Sequence, residues 1–168
     1  MASPFEELPM PVVTLEFSFT QKLPLPARAA FKWATDYVDD DLALIGKRGR
    51  RHVQQVAVNA LILSDTFIGD DGSETTRQKL VRLYPKELRW TNTHISGPNQ
   101  HSQFLYELFP TGEEQCLLRF TGSQLRTLPK ATPKQIKALA QEVKRDDALI
   151  WKNLAKAMAP KTHRRRAR

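Results

Sequence analysis

The carboxylate of Asp147 stands where a carboxylate is costly. Residues 132–159 carry Ile136, Leu139, Ala140, Val143, Ile150, Trp151, Leu154, Ala157 and Met158 at helical spacing, and a step of about 100° per residue puts Asp147 inside that stripe, beside Val143 and Ile150 or Trp151. A charge there needs a partner, water or an internal cavity. Two readings follow: Asp147 marks the point where the helix leaves the core, or it faces a cavity. The other chemistry-bearing residues are sparser. His52, His94, His101 and His163 are scattered, no two at the helical spacing of a zinc site, and Cys116 has no second thiol, so neither a metal nor a cofactor is expected. Gly46 and Gly49 flank basic residues with no helix start behind them, and no serine sits in a nucleophile elbow. Cys116 reads as a small core residue.

Cations form two clusters. Lys161, Arg164, Arg165, Arg166 and Arg168 fill the C-terminal tail, and Lys47, Arg48, Arg50 and Arg51 occupy a glycine-containing stretch. These nine exceed the formal net charge of +8, so the remaining body is close to neutral. Such clusters suit phosphate-rich partners, either an anionic membrane surface or RNA, or they simply solubilise a loop and a tail.

The elements that must position these residues are readable in order. The chain of 168 residues, 40% hydrophobic and 26% charged, fits one globular domain over 12–160, with an irregular arm over 1–11 (Pro4, Pro9, Pro11) and a basic flexible tail over 161–168. No apolar run reaches the roughly 20 residues of a membrane span, and the acidic, proline-rich start is unlike a secretory signal. The lone cysteine fits a reducing cytoplasm. Val13, Leu15, Phe17 and Phe19 alternate with polar residues as a half-buried strand, and Leu23-Pro24-Leu25-Pro26 ends it. Helical composition follows over 27–37, then a second short helix near 38–45 and a basic loop over 46–51. At the C-terminus Thr132, Pro133 and Gln135 supply a capping box with proline at the first helical position, and Pro160 supplies a stop.

Between these, strands are predicted over 52–58, 60–68, 74–84, 87–96, 100–109 and 115–127. Asp70-Asp71-Gly72, Pro85-Lys86, Gly97-Pro98-Asn99 and Pro110-Thr111-Gly112 mark the turns, and adjacent hairpins make a meander. A four-residue loop over 84–87 would set Leu83 opposite Leu88, Val81 opposite Trp90, Lys79 opposite Asn92 and Arg77 opposite His94. A three-residue loop over 97–99 sets Trp90 opposite Tyr106, Asn92 opposite Phe104 and Leu88 opposite Leu108. Leu118 and Phe120 continue this face, which is aromatic at one end and polar toward Asn92 and His94.

A curved seven-stranded sheet needs its apolar face covered, and only the C-terminal helix is long enough. The element order, the strand leading into Pro24 through Asp36 with Phe31 and Trp33, and the terminal helix from Thr132 resemble the SRPBCC superfamily of helix-grip domains, over about residues 12–159. That group includes START domains, birch-pollen-allergen-like proteins and polyketide cyclase-like proteins. The resemblance implies an α+β helix-grip fold: a curved seven-stranded antiparallel sheet wrapped around the C-terminal helix, with two short helices after the first strand.

It also implies a cavity between sheet and helix, used by many members for an apolar small molecule or lipid. Candidate lining residues are Trp90, Asn92, His94, Phe104, Tyr106, Phe120, Val143, Asp147, Ile150 and Trp151. There Asp147, across from Asn92, His94 or Lys79, would make a polar end able to receive a hydroxyl or amine. The expected function is a binding or carrier protein for a hydrophobic ligand, more a binder than an enzyme. Alternatives are an RNA or ribonucleoprotein module using Lys47, Arg48, Arg50, Arg51, Arg164, Arg165 and Arg166, and a cyclase-like enzyme with His94 and Asp147 as acid–base pair.

Overall fold

A computed structural model describes residues 11–38 and 41–159. The arginine-rich tail, Pro160 and the arm before Pro11 lie outside the described residues. Strand β1 (Val12–Leu23) is followed by helices α1 (Ala27–Ala34) and α2 (Asp41–Leu44). Six strands come next: β2 (Gly49–Ala57), β3 (Ala60–Ile68), β4 (Glu74–Tyr84), β5 (Arg89–Ser96), β6 (Gln103–Pro110) and β7 (Cys116–Thr127). Helix α3 (Pro133–Met158) closes the chain.

The seven strands make one antiparallel sheet in the order β1-β7-β6-β5-β4-β3-β2. Strands β2 to β7 are the expected meander, and β1 returns to pair with β7 from Val12 opposite Thr127 to Leu23 opposite Cys116. Phe17 explains a glycine here. A Cβ on Gly122 would sit 2.6 Å from the Phe17 ring, so only glycine lets that ring lie across β7. Pairing is irregular at Gln55/Ala57 between β2 and β3 and at Gln78/Lys79 between β4 and β5, the kind of interruption that bends a strand locally.

Helix α3 begins as its cap predicts. The Thr132 side chain accepts from the Gln135 backbone N–H at 3.2 Å, and Gln135 Oε1 accepts from the Thr132 N–H at 2.8 Å. The helix packs chiefly along β1. Its C-terminal half, through Trp151, Ala155 and Met158, joins Leu23, Ala27, Ala30 and Phe31 in the core.

Three local expectations need correction. Arg50 and Arg51 belong to β2 rather than to a basic loop, because pairing with β3 already starts at Gly49 opposite Phe67. The first helix stops at Ala34, where the Thr35 hydroxyl donates to the Phe31 carbonyl at 2.7 Å and the chain turns to bury Tyr37. In the β4–β5 hairpin Leu83 faces Trp90, Val81 faces Asn92 and Lys79 faces His94, a shift of two residues. The loop closes over 85–88 instead of 84–87, with Leu88 in the left-handed region at φ 51°. A shift of two keeps every side chain on its face. The β5–β6 register, with Trp90 opposite Tyr106 and Asn92 opposite Phe104, is as expected.

Candidate functional site

The inner face of the sheet divides into an aromatic floor and a charged end. Trp90 stacks on Tyr106 with centroids 4.7 Å apart and planes 1° from parallel. Trp151 of α3 leans on both rings, at 6.2 and 5.7 Å. Phe120 meets Tyr106 edge-on at 4.9 Å and continues to Phe104 at 5.7 Å. These residues, expected to line a cavity, are packed against one another at this level. Alternation places them together: successive inward positions of β5, β6 and β7 come into register once the 97–102 turn is closed.

Past Asn92 the same face turns polar. Asn92 Nδ2 donates to the Tyr106 hydroxyl at 3.3 Å, leaving Asn92 Oδ1 buried with no partner among the described residues. His94 lies against Phe104 at 5.1 Å, and its Nδ1 is likewise buried and unpartnered. Burial, then the charges of Lys79 and Arg77, pull its imidazole down to about 4, so it is neutral at pH 7. Gln124 Oε1 on β7 is a third unpartnered buried acceptor.

Asp147 is half-buried on α3 and has no ion-pair or hydrogen-bond partner among the described residues. Burial, with a small addition from Asp146, raises its carboxyl to about 6. Its charge reaches Tyr106, whose hydroxyl is itself pushed far up by burial. None of the residues expected across from it is its partner. Asn92 bonds Tyr106, the environment of His94 is set by Lys79, Arg77 and Asp65, and Lys79 is taken by Asp65. The helix packs chiefly along β1, and the charge of Asp147 is felt at the Tyr106 hydroxyl and not among the causes acting on His94, Lys79 or Asp65.

That charged end centres on Asp65, which sequence reasoning missed. Its side chain is 0% exposed and receives Arg51 Nε at 2.6 Å and Lys79 Nζ at 2.7 Å. Arg51 reaches on to Asp41 at 2.6 Å and lies 5.7 Å from the Tyr37 ring centre. Burial alone would raise the Asp65 carboxyl, but the Arg51 hydrogen bonds and the charge of Lys79 outweigh it and hold the group below the usual carboxylate range. Lys79 is pulled down by burial in spite of Asp65. A signal was present: in β3 the inward set Leu61, Leu63, Asp65, Phe67 contains one charge, and β2 places Arg51 directly opposite it.

Two of the three arginines of the basic stretch are engaged by carboxylates. Arg51 is a buried ion-pair partner, its side chain 7% exposed, and Arg50 makes a two-pronged contact with Glu74 at 2.8 Å on each prong. Lys47 and Arg48 remain exposed. They line an open cleft of about 600 Å³ together with Ile45, Phe67, Ile68, Arg77, Pro98 and Ile150. Of the expected lining residues, Ile150 alone borders this cleft. It opens between α3, the turn after α2 and the β3–β4 hairpin. No helix among the described residues is long and apolar enough to cross a membrane.

No protein-family model matches the chain, and no curated protein matches it in sequence. Solved structures do match in fold. An aromatase/cyclase from a Streptomyces species superposes with a TM-score of 0.68 at 13% identity, over 87% of this chain and 94% of that one. A START superfamily protein from Mycobacterium smegmatis gives 0.63 at 14%, over 86% and 99%. Norcoclaurine synthase from Thalictrum flavum, solved in complex with dopamine and hydroxybenzaldehyde, gives 0.62 at 13%, over 87% of each chain. With its seven-stranded antiparallel sheet gripping a long C-terminal helix, this chain has the SRPBCC-type helix-grip fold.

Proposed function

We propose that the protein is a binder or carrier of a hydrophobic small molecule, taken up between α3 and the inner face of the sheet. The observation that carries this reading is the cleft of about 600 Å³ with Ile45, Phe67, Ile68 and Ile150 in its walls. Small-molecule pockets are typically roughly 300–1,000 Å³, mostly apolar, with a few convergent polar groups. The cleft's own polar groups include Lys47, Arg48, Thr75 and Arg77; beyond it on the same face of the sheet, Asn92 Oδ1, His94 Nδ1 and Gln124 Oε1 are buried acceptors without partners among the described residues, and buried polar atoms are rarely left so. That a neighbour of the same fold holds two aromatic small molecules supports the same direction by analogy.

Binding is favoured over acid–base catalysis because His94 and Asp147 share no hydrogen bond and neither is among the causes of the other's shifted pKa. It is favoured over an RNA module because two of the four cations of 47–51 are committed to carboxylates.

Titration with a neutral solvatochromic dye tests the reading. The wild-type protein is expected to bind Nile red saturably at one site, and Ile150→Trp, which fills the cleft from the helix side, is expected to weaken binding at least tenfold with an unchanged circular-dichroism spectrum. Absence of saturable binding by the wild type, or a well-folded Ile150→Trp variant with wild-type affinity, would sink it.

A further inference from the structure

Resting on that reading, we propose that the ligand is an anion: an apolar molecule ending in an oxyanion head, carboxylate or phosphate, that is received by Arg77 with Arg126 beside it. Arg77 lines the cleft on β4, and Arg126 lines a second cleft of about 260 Å³ that shares Pro98 with the first. Gly97, which packs against the Arg77 stem, lines that second cleft with Pro98 and Arg126, and the charge of Arg126 acts on Arg77. Neither has a carboxylate within ion-pair distance among the described residues. The Nε–H of each is buried and donates to nothing among the described residues.

Two like charges brought together with unused donors form an unfavourable arrangement in the empty protein. An oxyanion between them removes both the repulsion and the unmet donors, and the fork of a guanidinium matches a carboxylate or phosphate in geometry.

Among the described residues the surroundings offer no internal substitute. Asp65, the carboxylate that acts on Arg77, already accepts from Arg51 and Lys79. Counting Arg51, Lys79, Arg77 and Arg126 against Asp41, Asp65 and Asp36, whose charge reaches Asp41 and Tyr37, this end of the sheet holds one positive charge in excess. Lys47 and Arg48 add positive charge at the rim, opposed there by Asp70, so the cleft attracts anions before contact.

Arg77 is also held in place. Its guanidinium lies 5.3 Å from the Phe67 ring centre, and a Cβ on Gly97, at φ 92°, would come within 2.9 Å of Arg77 Cγ. The glycine thus admits the arginine stem against the β5–β6 turn.

The test compares probes that differ only in the head. cis-Parinaric acid and its methyl ester are titrated into the full-length protein by fluorescence at low salt, and unlabelled fatty acid, lysophosphatidate and neutral monoacylglycerol compete for the bound acid. The acid is expected to bind at least about tenfold tighter than the ester, with an advantage that shrinks as salt is added. In Arg77→Gln, and in Arg77→Gln with Arg126→Gln, the acid should fall to the affinity of the ester while the ester stays within twofold of wild type. Stronger displacement by fatty acid identifies a carboxylate head, and stronger displacement by lysophosphatidate a phosphate head; both support the proposal.

Equal wild-type affinity for acid and ester, or monoacylglycerol competing as well as the anions, would overturn it and leave the binding reading standing. A wild-type protein that binds neither probe overturns both.

Discussion

Asp147 is a carboxylate inserted into an apolar stripe with no bonding partner among the described residues, and its behaviour with pH follows. Its carboxyl, ordinarily at 3.8, is raised to about 6 in the folded chain by burial. Ionisation therefore favours the unfolded state: there is no penalty below about pH 4, a growing one up to about pH 6, and a full one above. After allowance for its partial exposure, Asp147→Asn should stabilise the fold at pH 7.5 by about 1–2 kcal/mol and leave it unchanged at pH 3.5. Urea denaturation at the two pH values measures this, and a gain that is independent of pH would contradict it. His94 has the opposite sign. Its folded value of about 4 lies below the ordinary 6.5, so its contribution is complete above about pH 6.5 and is lost as pH falls toward 4. The position of Asp147 in the stripe was legible in the sequence from helical spacing alone. Its lack of a partner was not, because Asn92 and Lys79 are claimed by Tyr106 and Asp65, and claims of that kind depend on the whole sheet.

At the level of elements, β2 is one of the two edge strands and shows what the ion cluster does. Nearly all of its residues are exposed, so apolar burial contributes little to holding it. Arg51 ties it through buried Asp65 to Lys79 of β4 and outward to Asp41 of α2. Removing one member of a buried ion pair leaves the others charged and uncompensated, at a cost of about 3–5 kcal/mol. Asp65→Ala should show a loss of that size in chemical denaturation, with faster hydrogen exchange across 49–57. Removing the exposed Arg50–Glu74 contact should do neither. If Asp65→Ala and Arg50→Ala prove equally mild, the cluster is not what anchors β2. Element order, the capping box and most strand limits were readable because caps, turns and alternation are written in near neighbours. The β4–β5 register was missed by two residues because Leu88, a non-glycine, adopts a positive φ that no turn rule assigns to leucine.

For the whole molecule, the grip is lopsided. Helix α3 lies along β1, and its C-terminal half seals the aromatic floor with α1. On the side of β3 and β4 an open cleft remains, bordered by Ile150 and rimmed by Lys47 and Arg48. On the proposed reading, binding belongs to the gripped domain and not to the tail. Deleting residues 161–168, which removes five cations, should leave the affinity for a neutral apolar dye within twofold of wild type in a fluorescence titration. A large loss would relocate the site to the tail.

By itself the sequence determined the number, order and type of the elements, and which side chains face inward. These depend on periodicity and turn chemistry, which survive a register error of two. Only the tertiary structure decided which charges meet and where space stays open. Arg51 finds Asp65 across one strand pair, Arg77 comes near Arg126 across the β5–β6 turn, and the helix leaves its gap on one side. The cause is the coiling of the sheet and the lean of α3, which relate residues far apart in the chain and leave no local pattern to read.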